Sequence, residues 1–264
     1  MASREPGGAL DRVTIYRAPS TVADAALLAD WLRDRLDPAI EVAVRERFLD
    51  RFHDDDLAGD LARTRVLDPY DRETGNAMLG IVRYEEQALA NPDRAGGVIY
   101  DGLAVQSLLG VRLPDDEVGL DHLHVPLLDR VVGTWGAHDG RWHKRVNVLG
   151  QPALVSVPGL YEAPAKPEQY YKAQQKHALL SGDAPPREVL ENEVDGEFLV
   201  ADDPRTTEAL QGYVLQAVHY VATGDGFCAD PQCRLSNPHR QPGVVEAQLR
   251  EPPFCEAHAA LYGP

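Results

Sequence analysis

The most informative segment of the chain is Phe227-Cys-Ala-Asp-Pro-Gln-Cys233, followed near the end of the chain by Cys255-Glu-Ala-His258. All three cysteines of the protein lie in these two short segments. Their spacing is C-x4-C, then 21 intervening residues, then C-x2-H. Paired short loops that carry thiolate and imidazole groups are typical of tetrahedral Zn2+ sites in proteins. The sequence therefore predicts a zinc ion in this segment. Its predicted ligands are Cys228, Cys233, Cys255 and His258.

Two other readings of the cysteines are a disulfide with a spare thiol and three unrelated core cysteines. An odd number of cysteines clustered at one end favours neither, and nothing else in the sequence indicates an oxidising compartment. His239 is an alternative fourth ligand to His258. Four protein ligands leave no open position for water or substrate, so the predicted role of the ion is structural.

The composition limits the function in a different way. The 264 residues carry a net charge of -16, and only four of the 26 basic residues are lysines. An acidic, lysine-poor surface is favoured in a salt-rich cytoplasm, where ions screen self-repulsion, and it also arises in high-GC genomes with acidic proteomes. We therefore expect a halophilic protein, or a protein encoded by a high-GC genome with an acidic proteome. We also expect that it has no general affinity for nucleic acid.

Hydropathy gives an expectation about location. No hydrophobic run approaches the ~20 residues that span a bilayer, and the first residues lack the apolar region of a secretory signal. We expect a cytoplasmic protein without a membrane partner.

Hydrophobic periodicity predicts an α/β fold, in which a mixed sheet is flanked by helices. A tail at 1–11 is expected to be disordered, 12–225 to form one domain, and 226–264 to be the zinc-binding segment of that domain. Strands are predicted at 12–16, 40–44, 97–100, 120–125, 127–135, 143–149 and 153–157, the last two as a hairpin. The first helix is predicted to follow a cap at 20–21 and to extend as far as 36. The other helices are predicted at 57–66, 74–90, 103–109, 167–180, 186–195 and 205–223.

The last of these helices is clearly marked. Asp203 stands at the predicted N-cap position with Pro204 after it, and Gly224 closes the other end. Apolar residues at helical spacing, from Leu210 to Val221, predict one face packed in the core.

The chain here resembles the archaemetzincins. The strand pair Val148-Leu-Gly-Gln-Pro-Ala-Leu-Val-Ser-Val157, a helix ending in glycine, and the cysteine pattern that follows are similar to that family over about the last 120 residues. Leu235 stands where the family tends to have methionine, and His258 where it usually has cysteine. The resemblance implies a metzincin-like fold, with a catalytic zinc on an HExxHxxGxxH helix and a structural zinc after it.

This chain departs from that helix motif. Counting back from Cys228, the three histidine positions hold Ala217, Val221 and Phe227, and the glutamate position holds Val218; only Gly224 is retained. A shift by two places His219 at the first histidine position, but Tyr220 and Thr223 then replace the glutamate and the second histidine. Hydrolysis needs two imidazoles and a carboxylate on one helix face. The sequence therefore predicts no standard metzincin peptidase activity, and we expect His219 to be a surface or hydrogen-bonded histidine.

An alternative metal site is suggested by His122, His124 and His143. The first two alternate on one strand and so share a face, and His143 on a neighbouring strand completes a three-histidine set with an open position. Such a site would make the protein a metal-dependent hydrolase.

A second alternative uses basic residues. All four lysines fall between 144 and 176, with Trp142 among the nearby arginines. A basic patch with an interleaved aromatic ring suits a phosphate-rich ligand or an RNA backbone. The predicted anion-binding residues are Arg141, Lys144, Arg145, Lys172 and Lys176.

Overall fold

The computed structural model describes residues 10–19, 22–92, 96–181, 185–194 and 197–263. Of the tail predicted to be disordered, residues 1–9 lie outside this part of the chain. The prediction is wrong for the two residues that follow. Leu10 is buried in the main core, and the backbone N–H of Asp11 donates to the carbonyl of Asp121.

Nine strands and eleven helices form the described part of the chain. The strands are β1 Arg12–Tyr16, β2 Glu41–Arg45, β3 Arg65–Val66, β4 Ile99–Asp101, β5 His122–Leu128, β6 Val131–Gly136, β7 Arg141–Arg145, β8 Asn147–Val148 and β9 Leu154–Ser156. The helices are α1 Ala25–Arg33, α2 Phe48–Arg51, α3 Leu57–Arg63, α4 Leu79–Ala90, α5 Gly102–Gly110, α6 Gly159–Glu162, α7 Glu168–Ser181, α8 Arg187–Glu193, α9 Thr206–Thr223, α10 Gln241–Gln248 and α11 Glu256–Tyr262. Among the described residues, no helix is both long and apolar enough to cross a membrane.

The first sheet has five strands in the order β2-β1-β5-β9-β8. Strand β1 is parallel to β2 and β5, β9 is parallel to β5, and only the edge strand β8 is antiparallel to its neighbour. Every residue of β5 is buried, as expected for a central parallel strand covered on both faces. The β1-α1-β2 unit confirms the predicted β-α-β start of the chain.

The second sheet has the order β3-β4-β6-β7, and it is also mixed. Here the predicted strand at 143–149 is wrong, because its two halves belong to different sheets. Residues of β7 pair with β6, whereas Asn147 and Val148 pair with Val155 and Leu154. The predicted hairpin across Gly150 and Gln151 is therefore confirmed only for β8 and β9. A continuous β-type pattern does not reveal that the chain changes partner within it.

Two hydrophobic cores are associated with these sheets. The main core joins β1, β5 and β9 to helices α1 and α9, and it includes Cys233, Leu235, Val244 and Phe254 of the C-terminal segment. The second core contains residues of both sheets together with α3 and α5. The C-terminal segment is therefore packed into the main core of the α/β fold.

Several predicted boundaries differ from the structure, and three of them concern the ends of helices α3, α4 and α9. The helix predicted at 57–66 ends at Arg63, because Val66 pairs with Ile99 in the second sheet. The helix predicted from Thr74 begins only at Leu79; Thr74 instead forms a β-bridge to Val66. The N-terminal cap of α9 is Arg205, although Asp203 still accepts from the Arg205 backbone N–H at 3.0 Å. Helices α2, α6, α10 and α11 were not predicted.

Candidate metal centre

Helix α9 directly precedes the cysteine segment. It ends where Gly224 adopts φ of 83°, a left-handed conformation that favours glycine, and donates its N–H to the Tyr220 carbonyl. Four residues later the chain reaches Cys228. Because α9 lies in the main core, its end fixes the place at which the cysteine segment starts.

The four predicted ligands lie together. Their ligand atoms are all within 4.8 Å of one another. The Sγ atoms of Cys228 and Cys255 are 3.8 Å apart, and His258 Nδ1 is 3.5 Å from Cys233 Sγ and 3.1 Å from Cys255 Sγ. With Zn–S near 2.3 Å and Zn–N near 2.0 Å, a tetrahedron has S···S edges of about 3.8 Å and S···N edges of about 3.5 Å. The set therefore fits a tetrahedral Zn2+ ion, with one edge slightly short.

Local backbone structure holds these ligands in place. The Cys228 N–H donates to the Leu235 carbonyl at 2.9 Å, and the Cys233 N–H donates to the Asp230 carbonyl at 3.1 Å. These two bonds fold the C-x4-C loop back on itself. Cys255 caps α11, so His258 follows it on the first turn of that helix. No disulfide is present, since all three cysteines are free.

The pKa shifts of the four side chains indicate that a bound cation would stabilise the cluster. Burial raises the pKa of the Cys228 thiol to about 12 and also raises the pKa of Cys233. Burial opposes ionisation of Cys255 as well, but hydrogen bonds from the His258 backbone and the neighbouring thiols outweigh it and lower its pKa. Burial lowers the pKa of His258, which favours the neutral imidazole that metals bind. A divalent ion would compensate the thiolates that the bare cluster disfavours.

Helix α9 packs against this cluster from the other side. His219 is buried, its Nδ1 lies 2.7 Å from the Tyr262 hydroxyl, and its ring meets the His258 ring edge to face with centroids 5.2 Å apart. The expectation of a hydrogen-bonded histidine at 219 is therefore confirmed. This imidazole packs beside the proposed metal site and is not one of the grouped ligands.

The alternative ligand His239 lies elsewhere. Its side chain is exposed, and its backbone carbonyl accepts from the Ala165 N–H at 2.9 Å. It is not among the residues whose ligand atoms converge. The geometry therefore favours His258 over His239 as the fourth ligand.

The positions on α9 that the resemblance assigns to catalysis carry apolar side chains in a packed environment. Ala217 is fully buried and Val218 is 2% exposed, both in the main core, and Val221 packs against that core. Phe227 is 45% exposed.

Comparison with known proteins places the chain in a family. The model of a family of unknown function, DUF7001, matches residues 14–261. The chain belongs to this family. No curated protein sequence matches this DUF7001 chain.

Solved structures give two distant neighbours of the DUF7001 chain. One is the crystal structure of archaemetzincin from Methanopyrus kandleri, with 12% identity and a TM-score of 0.42 over 96% of this chain and 94% of that one. The other is a zinc-dependent peptidase from Methanocorpusculum labreanum, with 13% identity and a TM-score of 0.42 over 95% of this chain and 98% of that one.

The predicted three-histidine site is not formed. His122 and His124 lie on β5 of the first sheet, whereas His143 lies on β7 at the edge of the second. The prediction failed because it assumed that β5 and β7 are neighbours, but β7 pairs with β6.

Each of the three histidines has its own polar partners. His122 Nε2 lies 2.9 Å from the Thr14 hydroxyl, and both ring nitrogens of His124 are taken by the Tyr16 hydroxyl and the Glu117 carbonyl. His143 Nε2 lies 2.9 Å from Asp139, on the β6–β7 hairpin. Glu117 with His122 and His124, and His138 and Asp139 with His143, are grouped closely enough to hold an ion. The hydrogen bonds of His122, His124 and His143 account for the positions of these three side chains without an ion.

The predicted basic patch is also largely neutralised. Arg141 pairs with Asp139 at 2.8 Å, and Lys144 pairs with Glu162 at 2.6 Å. The remaining pairs are Lys172 with Glu168 at 2.8 Å and Lys176 with Glu193 at 3.6 Å. Arg145 differs from the other four residues. Within the described chain, the one hydrogen bond of its side chain runs from Nε to the Thr134 hydroxyl at 2.7 Å.

Sequence reasoning missed one residue that positions the metal segment. Gln216 of α9 is fully buried, donates from Nε2 to the Ser236 carbonyl at 2.7 Å, and accepts from Asn147 Nδ2 at 2.9 Å. It therefore ties the edge strand β8 and the loop after Cys233 to the same helix. The available signal was an amide within the otherwise apolar run from Tyr213 to Val218.

Proposed function

We propose that this protein binds one structural Zn2+ ion through Cys228, Cys233, Cys255 and His258. The observation that supports it most directly is the convergence of three thiols and one imidazole at the edge lengths of a zinc tetrahedron. Four protein ligands close the coordination shell, so the ion would hold structure and would not activate water.

The ion would join two pieces of the C-terminal segment. The C-x4-C loop follows α9, and Cys255 and His258 belong to the cap and first turn of α11. Structural zinc in small peptides contributes about 10–16 kcal/mol of apparent binding free energy at neutral pH, which appears as folding free energy. The segment 226–264 would therefore depend on the metal more than the sheets do.

We further propose that α9 carries no hydrolytic centre. A peptidase site there would need imidazole and carboxylate side chains facing a cleft, whereas Ala217 and Val218 are packed in the core. On this reading the protein is a zinc-binding member of its family without standard metzincin peptidase activity.

Metal content tests the ligand set. Purified, dialysed protein should contain one zinc per chain, and Cys233→Ser and His258→Ala should each lose it. His239→Ala is the matched control and should keep it. Zinc retained in Cys233→Ser would refute the assignment. Zinc lost in His239→Ala but kept in His258→Ala would show that His239, and not His258, is the fourth ligand.

Two further readouts separate structure from catalysis. In Cys233→Ser, trypsin should cut near Arg240 faster than in the wild type, because the segment is no longer held. Zinc-loaded wild-type protein should not cleave peptides. Chelator-sensitive cleavage that disappears in His219→Ala would instead show that α9 is a working zinc site.

A further inference from the structure

A cavity of about 400 Å3 opens beside the metal segment. Its lining comes from the edge of the second sheet, from β8 at the edge of the first sheet, and from two parts of the C-terminal segment, Phe227 and 237–239. Ligand-binding pockets in proteins typically have volumes of about 300–1,000 Å3. The cavity is therefore large enough for a small organic molecule.

One cation in this lining has no counter-ion among the residues that the structure describes. Arg145 is half-buried, and burial alone lowers the pKa of its guanidinium. Within the described chain its Nε donates to Thr134 and its Nη groups have no protein partner. The fully buried arginines Arg130 and Arg234, by contrast, both lie within 4 Å of a carboxylate. An arginine desolvated without a carboxylate is a natural site for a ligand oxyanion.

The remaining lining divides into polar and apolar parts. Lys144 is less available than Arg145, since its ammonium pairs with Glu162. Asn237 and His239 offer hydrogen-bonding groups, and the Phe227 ring is 45% exposed although it is large and apolar. A cation on one side and an exposed aromatic ring on another suit a molecule with an acidic group and a flat or apolar body.

We propose that this cavity binds a small organic anion, whose carboxylate or phosphate group pairs with Arg145 and whose apolar part rests on Phe227. A long polyanion such as RNA is disfavoured, because the chain carries a net charge of -16 and the other predicted patch residues are paired with acids. The binding group is thus one arginine in a cavity, in place of the basic surface expected from the sequence.

The proposed zinc would shape one wall of this cavity. Phe227 directly precedes Cys228, and residues 237–239 follow Cys233 in the same segment. This part of the inference rests on the proposed function. Loss of the metal should therefore weaken anion binding even though no ligand atom of the metal lines the cavity.

Calorimetric titration of the full chain with phenyl phosphate and with benzoate tests the proposal, and the two probes distinguish phosphate from carboxylate. At least one should bind saturably in the millimolar range or tighter. Arg145→Gln should weaken that binding at least tenfold, Arg145→Lys should restore part of it, and the matched control Lys172→Gln should leave it unchanged. Inorganic phosphate should bind more weakly than phenyl phosphate, and Phe227→Ala should remove that difference.

Three results would overturn the proposal: no saturable binding of either aromatic anion, equal binding by Arg145→Gln, or Arg145-dependent binding of a single-stranded oligonucleotide alone. Thermal unfolding of each variant shows whether it is folded, and Phe227→Ala provides a test that does not alter Arg145. The wild-type titration, repeated on protein as purified and after chelation, separates the two proposals. A protein without zinc that still binds the anion through Arg145 would refute only the metal assignment.

Discussion

The imidazole of His219 meets that of His258 edge to face, with ring centroids 5.2 Å apart and ring planes at 83°. The first residue lies on α9, and the second is a proposed zinc ligand on α11. His219 also lies 2.7 Å from the hydroxyl of Tyr262, one turn further along α11. Helix α9 therefore contributes packing to the neighbouring metal segment, where the archaemetzincin resemblance implied that it would contribute ligands.

Introducing a charge at the glutamate position of the resembled motif should destabilise the protein. Val218 is 2% exposed in the main core, so Val218→Glu should lower the free energy of unfolding by about 3 kcal/mol or more, since an unpaired carboxylate is buried. The control is Ala222→Glu on the exposed part of the same helix, which should change it little. Urea unfolding measures both. Equal stability of the two variants would mean that position 218 faces a cleft.

Stability should fall in acid because of His122. Burial, helped by His124 and Arg12, lowers the pKa of His122 from 6.5 to about 4. A folded-state pKa below the unfolded value means that the folded protein binds fewer protons. This contribution is fully present above pH 6.5 and is lost as the pH falls towards 4, by about 2 kcal/mol at pH 5.

Comparison with His122→Gln isolates this contribution, since protonation of the metal ligands affects both proteins alike. Between pH 7.5 and pH 5 the wild type should lose about 2 kcal/mol more unfolding free energy than His122→Gln. His53→Gln, which replaces an exposed histidine, should keep the wild-type slope. Parallel curves for all three proteins would contradict the prediction.

The second core contains a buried ionic cluster whose loss should be costly. Arg130 is 1% exposed and contacts Asp129 at 2.8 Å and Glu85 at 3.4 Å, while Glu85 also accepts from the Tyr100 hydroxyl at 2.9 Å. Arg130→Met should lower the unfolding free energy by about 3 kcal/mol, because two carboxylates lose a buried partner. Lys172→Met removes an exposed pair and should have little effect. A melting temperature unchanged in Arg130→Met would refute this reasoning.

Salt should stabilise the protein. With a net charge of -16, repulsion among surface carboxylates is strong when few ions are present. The Debye length falls from about 10 Å at 0.1 M to about 3 Å at 1 M salt, so screening should relieve this repulsion. We expect the melting temperature to rise from low to molar KCl. A flat or falling curve would remove the halophilic interpretation of the composition.

Local patterns in the sequence predicted local structure well. The helical stripe from Leu210 to Val221 and the left-handed glycine after it predicted α9, because amphipathic periodicity and the need for positive φ act within one element. The short spacings within the cysteine segment likewise indicated which side chains could share an ion. Where a continuous pattern spanned a change of partner, as at 143–149, the sequence predicted one strand and the structure has two.

The mixed α/β class, the acidic character and the four residues that converge near the C-terminus could all be predicted from the amino-acid sequence. Three features emerged only from the folded structure: His143 lies in a different sheet from His122, acidic neighbours neutralise most of the predicted basic patch, and Arg145 lines a cavity with no such neighbour among the described residues. The physical reason is the range of the interactions. Periodicity and ligand spacing act between residues close along the chain, whereas strand order, ion pairing and cavity shape depend on contacts between residues far apart in it.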